Sequence, residues 1–388
     1  MTPLSVAYLP LTDAAPLIVA EEMGYAREEG LHLDLRQARS WSRVRDMLCH
    51  GEVDAAHLLA PIPVAMALGL GNLVTPLSAL MVLSVNGTVI GVAPDIATRM
   101  REAGHAFDFA DARAARDAVL KVAGRPLRFG VPYPFSMQAE LLHYWLNDSL
   151  RAGAGDLAVR TVPPPMMAEA LAAGEIDAFC VGEPWGSRSV ETGAGHLLLP
   201  GQAVWSFAPE KVLAVRSGWA DSQPELAARL MHAVWKAARW LSEPGAHTTA
   251  AEILARHIEL DAHVLDRALT GRITINGSGD VRQVPCFMEF FDGAATFPWK
   301  SQAAWIGDRL ARRHGLDPQS ARIKAKAVFR SDLYRRNLME TGAAMPGASE
   351  KLEGASADPQ PVATERGRLI LARNRFFDGR IFDPAPQN

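Results

Sequence analysis

The sequence predicts an α/β protein built as two lobes with a hinge and an interlobe cleft. Three observations carry that reading. Short apolar runs alternate with segments of helical character, the arrangement that makes a mostly parallel sheet covered by helices. One phrase occurs twice, as Gly51-Glu52-Val53-Asp54-Ala55 and as Gly174-Glu175-Ile176-Asp177-Ala178, and each copy leads through an apolar strand to a proline, Pro61 or Pro184. A third run, Val212–Val215, reads as a strand returning to the first unit, so the chain crosses twice between lobes, and two crossings make a hinge. The expected lobes are 1–88 plus 210–388, with 341–388 as a C-terminal extension, and 89–209. A chain of 388 residues accommodates two such units.

Taken in order, Leu4–Leu9 is a short strand, and Thr12 or Asp13 stands where a helix cap belongs, ahead of a helix through Glu22. Leu31–Leu35 alternates apolar and polar residues as a strand does. Ser40 is placed to cap a helix with Trp41 in its first turn. Val53–Leu59 is a third strand, Pro61 and Pro63 open a helix, and Pro76–Val85 is a buried strand running to Asn86-Gly87, a turn signal. Thr88–Val92 follows as a strand. Helices are expected around Ile96–Ala103 and Ala110–Val122. The second α/β unit begins at Leu127–Pro132, with Ser136 capping a helix through Trp145, and continues with strand Leu157–Val162 and helix Met166–Ala173. Phe179-Cys180-Val181-Gly182-Glu183-Pro184-Trp185 is read as a strand ending in bare backbone N–H groups where a helix opens, the kind of edge at which open α/β sheets hold anions. A helix to about Thr192 and strand Gly195–Leu199 complete the unit. Asp221 or Ser222 is expected to cap a long helix with Pro224 near its start and Leu226, Leu230, Val234 and Leu241 on one face; Trp235 and Trp240 read as packing. Thr341–Thr364, rich in Ala, Gly, Pro and Ser, reads as a loose connection, and Phe376–Pro384 as a terminal arm docked on the body.

Composition narrows the function. Forty basic against 43 acidic residues leave a net charge of −3, which gives no footprint for nucleic acid or an anionic membrane. Cys49, Cys180 and Cys286 are too few and too scattered for a disulfide framework or a structural zinc site. The first basic residue is Arg27, and the apolar run Ala15–Ala20 ends at Glu21-Glu22, so no signal peptide is expected and a cytoplasmic location is. The uncharged stretch Ala55–Pro94 is broken by Pro61, Pro63, Gly69 and Pro76, and reads as buried strand–helix–strand rather than a membrane span.

No nucleophile elbow, Walker loop, dinucleotide fingerprint or zinc-protease motif is present, so no enzyme and no cofactor are expected. His57, His143 and His232 are isolated, and Glu183 and Asp13 form a catalytic pair only if folding joins them. Binding signals are stronger: Lys211 follows Pro209-Glu210 at the second crossing, where it either enters the cleft or lies in solvent, and Trp41 is either a ligand contact or core.

The chain resembles the substrate-binding proteins of nitrate/bicarbonate ABC transporters, within the type II periplasmic-binding folds. The resemblance rests on Leu11–Ile18, Ser40-Trp41, Asp54–Pro61, Asn86-Gly87, Tyr144-Trp145-Leu146, Val162–Pro165, Phe179–Trp185, Pro209-Glu210-Lys211, Pro298–Ser301 and Phe376–Gly379. It implies an anion site between the lobes with Trp41, Gly182 and Lys211 as ligands. It also implies two departures: Thr88 stands where the family has glutamine, and Gln138 where it has histidine, so neither is a cation. Without export information, the chain looks most like the cytoplasmic nitrate/nitrite sensor of assimilation operons, which holds an ANTAR-type RNA-binding antiterminator and releases it when the anion binds. The alternative is the binding component of a nitrate or bicarbonate ABC transporter. Thiamine-pyrimidine synthases resemble this fold too, but their chemistry calls for a clustered cysteine motif that three scattered cysteines do not supply.

Overall fold

The computed structural model describes residues 1–71, 75–123, 127–149, 157–343, 345–366 and 368–385. The first half of the chain runs β1 (Thr2–Tyr8), α1 (Ala15–Glu22), α2 (Tyr25–Glu28), β2 (Leu31–Gln37), α3 (Trp41–Cys49), β3 (Ala55–Leu59), α4 (Pro61–Ala67) and β4 (Leu77–Asn86). It then builds β5 (Thr88–Val92), α5 (Pro94–Glu102), α6 (Ala112–Val122), β6 (Arg128–Val131), α7 (Met137–Ser149), β7 (Ala158–Thr161), α8 (Met167–Ala172), β8 (Ala178–Gly182), α9 (Trp185–Glu191) and β9 (His196–Pro200). The return strand β10 (Pro209–Arg216) leads to α10 (Trp219–Ser222), α11 (Pro224–Leu241), α12 (His247–Ile258) and α13 (Ala262–Thr270). The short strands β11 (Arg272–Thr274), β12 (Val281–Gln283) and β13 (Met288–Glu289) precede the long helix α14 (Lys300–His314).

Two large sheets result, each the centre of one α/β lobe, beside three two-stranded ones among the described residues. The first has the order β13-β4-β10-β3-β1-β2 and the second β7-β6-β8-β5-β9. The β1–β2, β1–β3, β6–β7 and β6–β8 pairs are parallel, whereas β5 and β10, which adjoin the crossings, pair antiparallel with their neighbours. Thr88, counted with the first lobe on sequence, pairs with Gly182 in the second sheet. Asn86 accepts the left-handed backbone at the first crossing (φ 62°), which its short polar side chain tolerates. That side chain ties the crossings together, donating from Nδ2 to Ser206 O at 3.0 Å and accepting from Ala208 N at 3.2 Å.

The repeated phrase has the same mechanical role in both lobes. Gly51 (φ 76°) and Gly174 (φ 67°) take left-handed conformations after a helix. Asp54 N then donates to Ser5 O at 2.9 Å and Asp177 N to Arg128 O at 2.8 Å. The carboxylates answer, Asp54 Oδ2 accepting from Ser5 N and Asp177 Oδ2 from Arg128 N. Each Asp therefore sets the register of the parallel strand beside it.

Several local expectations change. Ser40 and Ser136 do cap α3 and α7, accepting from Arg43 N and Ala139 N. Neither Thr12 nor Asp13 caps α1, which follows a short 3-10 turn, Thr12–Ala14. Asp221 and Ser222 lie in α10, and α11 starts on Pro224 with no side-chain cap. The stretch 345–364 is not loose. Glu353 is wholly buried and accepts from Ser301 Oγ and Asn374 Nδ2, each at 2.6 Å, and from Lys351 Nζ. The composition of that stretch does not reveal the partners Ser301 and Asn374, because they lie on α14 and just before the terminal arm. The arm itself docks as expected: Phe376 stacks on Trp305 with centroids 5.8 Å apart and packs against Trp205. Among the described residues, no helix is long and apolar enough to cross a membrane.

Candidate functional site

The ends of β1 and β8, the starts of β5 and β10 and the first turns of α3 and α7 meet where the lobes face each other. All five residues singled out from the sequence arrive there. Gln138, at the start of α7, donates from Nε2 to Thr88 Oγ1 at 3.1 Å. Thr88 pairs in register with Gly182. A Cβ on Gly182 would stand 2.8 Å from Leu11 Cδ2, 3.6 Å from Asp13 Oδ2 and 3.8 Å from Gln138 Nε2, so glycine is what lets the opposing lobe approach. Lys211 Nζ lies 5.3 Å from the centre of the Trp41 ring, within cation–π range. Of the alternatives left open by the sequence, Lys211 takes the buried one, at 0 % exposure.

Three further residues complete the cluster. Lys211 Nζ donates to Asp13 Oδ2 at 2.7 Å and to Glu210 Oε1 at 2.6 Å. Glu210 Oε1 also accepts from Gln138 Nε2 at 2.5 Å. His57 Nε2 lies 2.9 Å from Asp13 Oδ1, and its ring packs 5.4 Å from that of Trp41. Sequence reasoning missed two of these roles. Asp13 has the position of a helix cap, and nothing local reveals that its partner lies 198 residues away. Glu210 and Lys211 are consecutive, and strand alternation sends consecutive side chains to opposite faces. Here the β10–β4 register shifts on either side of Lys211, and such a bulge re-aims a side chain.

The electrostatics follow from burial. It pushes the Asp13 carboxyl up, but the Lys211 ammonium and His57 outweigh it and hold Asp13 below its ordinary range. Burial opposes charge on Lys211, and the Asp13 and Glu210 carboxylates more than offset it, raising its pKa. For Glu210 burial wins over Lys211, and its pKa is raised. For His57 burial wins over Asp13, lowering its pKa and favouring the neutral ring. Trp41 Nε1, Thr12 Oγ1 and Gln138 Oε1 are buried here without hydrogen-bond partners. Such groups are uncommon in folded proteins, and several of them in this cluster, His57 Nδ1 among them, suit a polar guest.

Glu183 does not join Asp13. Its Oε2 accepts from Ser187 N at 3.0 Å, and its own N–H, expected among the bare donors of the strand edge, donates to Gly87 O. Its carbonyl accepts from Thr12 N at 3.0 Å, and Trp185 Nε1 donates to Pro10 O at 2.9 Å, so this stretch seals the lobes together. Arg45 contacts Tyr133 across the same gap. Arg313 Nη2 on α14 lies 2.6 Å from Glu140 Oε1 on α7. His143 was isolated in sequence; burial and the nearby Arg313, Arg309 and His314 push it down to about 4, so it is neutral. A cavity of about 820 Å³ lies apart from this site, lined by Arg113, Arg282, Glu289, Arg373 and Arg375 among others. Among the described residues, no group of three or more His, Cys, Asp or Glu is arranged to hold a metal ion.

Residues 1–255 match the model of the NMT1-like family. The nitrate/nitrite binding protein NrtA of Synechocystis is 28% identical over 396 residues, covering 99% of this chain and 83% of the relative. The bicarbonate-binding protein CmpA of a Synechococcus species is 26% identical over 99% of this chain and 85% of its own. The nitrate import ATP-binding protein NrtC of Synechocystis is 30% identical over 85% of this chain, which spans 49% of that larger protein. The crystal structure of the periplasmic nitrate-binding protein NrtA from Synechocystis superposes with a TM-score of 0.81 at 24% identity, covering 99% of this chain and 96% of the other. That likeness establishes the fold: two α/β lobes of the periplasmic-binding type.

Proposed function

The chain belongs to the NMT1-like family, and on that premise we propose that it binds nitrate or nitrite between its lobes as the substrate-binding component of an ABC importer. The observation that supports this most is the convergence of Lys211, Trp41, Gln138, Thr88 and Gly182, drawn from both lobes, on one buried point. Lys211 supplies the positive charge. Trp41 Nε1 is an unpartnered donor, and the hydroxyl of Thr88 adds another; Gln138 Nε2, which donates to Thr88 and Glu210, becomes a donor to the guest once Glu210 releases it. Hydrogen bonds to a charged group contribute about 1.5–3 kcal/mol each. Four at the upper end sum to about 12 kcal/mol, and with an association cost of about 4 kcal/mol the remainder of about 8 kcal/mol corresponds to micromolar affinity. Thr88 and Gln138 carry no charge, so selectivity rests on shape and on Lys211.

Titration calorimetry with nitrate, nitrite and bicarbonate tests this reading. Heat with nitrate or nitrite is expected. Heat with bicarbonate alone would reassign the ligand, and no heat with any of the three would refute the assignment. Lys211→Ala, shown folded by circular dichroism, is expected to abolish the signal.

The same binding step can serve the regulatory setting expected from the sequence: a cytoplasmic sensor that releases an ANTAR-type antiterminator. The relatives' names favour transport, so import leads. Cell fractionation and a pull-down with and without nitrate separate the two. A membrane-associated pool supports import, and an antiterminator released by nitrate supports the sensor.

A further inference from the structure

We propose that Glu210 is a tethered competitor for the anion, and that the site takes up a monoanion together with one proton, which neutralises Glu210. The inference rests on the anion-binding reading above and concerns how that site is regulated.

The first support is geometric. The Glu210 carboxylate, 1 % exposed, accepts from Gln138 Nε2 and Lys211 Nζ through a single oxygen. Those are two of the donors an anion needs. A carboxylate and a nitrate present the same planar O–X–O face, so the side chain engages the donors as the guest would. The bulge in β10 places it there, and without it Glu210 would point away from Lys211.

The second support is charge. With Asp13 and Glu210 ionised and His57 neutral, the cluster around Lys211 has a net charge of −1. A monoanion would add a second negative charge to a point closed to water. Two like charges sharing a site do not both persist, and one of them takes a proton. A protonated Glu210 is no longer an acceptor only, because its O–H can donate to the guest.

The neighbours favour Glu210 as the group that takes the proton. On the 3-10 turn, Asp13 is held ionised by Lys211 and His57. On β3, His57 faces Asp13 and is kept neutral by burial. On β8, Cys180 feels the Glu210 charge, and its thiol is held protonated by burial first and by Glu210 second. β4 contributes no ionisable side chain. On α7 the contact is the uncharged Gln138, while Glu140 and His143 belong to the Arg313 cluster. Glu210 is the group whose pKa burial has already raised.

The test is calorimetry of the full chain with sodium nitrate, which has no proton of its own to exchange, in buffers of different ionisation enthalpy from mildly acid to mildly alkaline pH. Above the Glu210 pKa, uptake of one proton per nitrate is expected, with affinity falling about tenfold per pH unit. In Glu210→Gln uptake should vanish and affinity should become independent of pH, exceeding wild type at the alkaline end. Nitrate binding by the wild type without proton uptake overturns the proposal alone, and so does one-proton uptake that persists in E210Q. Absence of nitrate heat in both proteins at every pH overturns the anion reading, and this one with it.

Discussion

Two residues make the argument sharpest at the smallest scale. Trp41 combines a ring beside Lys211 with a buried, unpartnered Nε1. Trp41→Phe keeps the ring and removes the donor, so nitrate affinity should fall by about 1.5 kcal/mol or more, roughly tenfold, as measured by calorimetry. Glu183 is wholly buried, and burial outweighs its bonds to Ser187, so its pKa rises from 4.5 to about 7. The folded state therefore holds this proton more tightly than the unfolded chain. The contribution of Glu183 to stability is fully present below pH 4.5 and is lost, by roughly 3 kcal/mol, as pH rises to about 7. Glu183→Gln should flatten that decline in urea unfolding measured across the window. The five proposed ligands could be named from the sequence because short motifs shared with the family it resembles mark them. The acidic partners of Lys211 were not, because a capping position describes Asp13 equally well and alternation along a strand gives no sign that Glu210 turns inward.

Among elements, β8 and the segment that follows β1 decide how closely the lobes can meet. The approach to Gly182 leaves no room for a methyl group beside Leu11. Gly182→Ala should cost about 1–3 kcal/mol of overpacking in the closed arrangement, while leaving each sheet intact. Weaker nitrate binding and a larger radius of gyration in small-angle scattering are the expected signs, with little change in far-ultraviolet circular dichroism. Most strands and helices could be read from periodicity and from Pro, Gly and Ser punctuation. The exception is the stretch 345–364, where low-complexity composition hides a buried Glu353 answered by Ser301, Lys351 and Asn374. Ser301 and Asn374, distant in sequence, contribute order there that local composition cannot report.

At the scale of the whole molecule, the two-lobed plan follows from the repeated Gly-Glu-apolar-Asp-Ala phrase, because each copy locks one parallel strand pair through its Asp. The terminal arm is the part added to that plan. Phe376 packs against Trp205 and Trp305, so Phe376→Ala should destabilise the protein by about 3–5 kcal/mol in urea. Two residues further on, Asp378 accepts from Tyr144 OH at 2.9 Å, and its carbonyl accepts from Arg113 Nη2 at 3.2 Å. The arm is thus fixed to α14 by its aromatic ring and to α6 and α7 by Asp378, bridging elements that must separate for the cleft to open. In kinetic terms the arm adds a brake: the Tyr144–Asp378 bond is one more contact, beside Thr12–Glu183 and Trp185–Pro10, that opening has to break. Asp378→Asn should accordingly shorten the dwell time of bound nitrate in stopped-flow exchange, although the residue touches no part of the site.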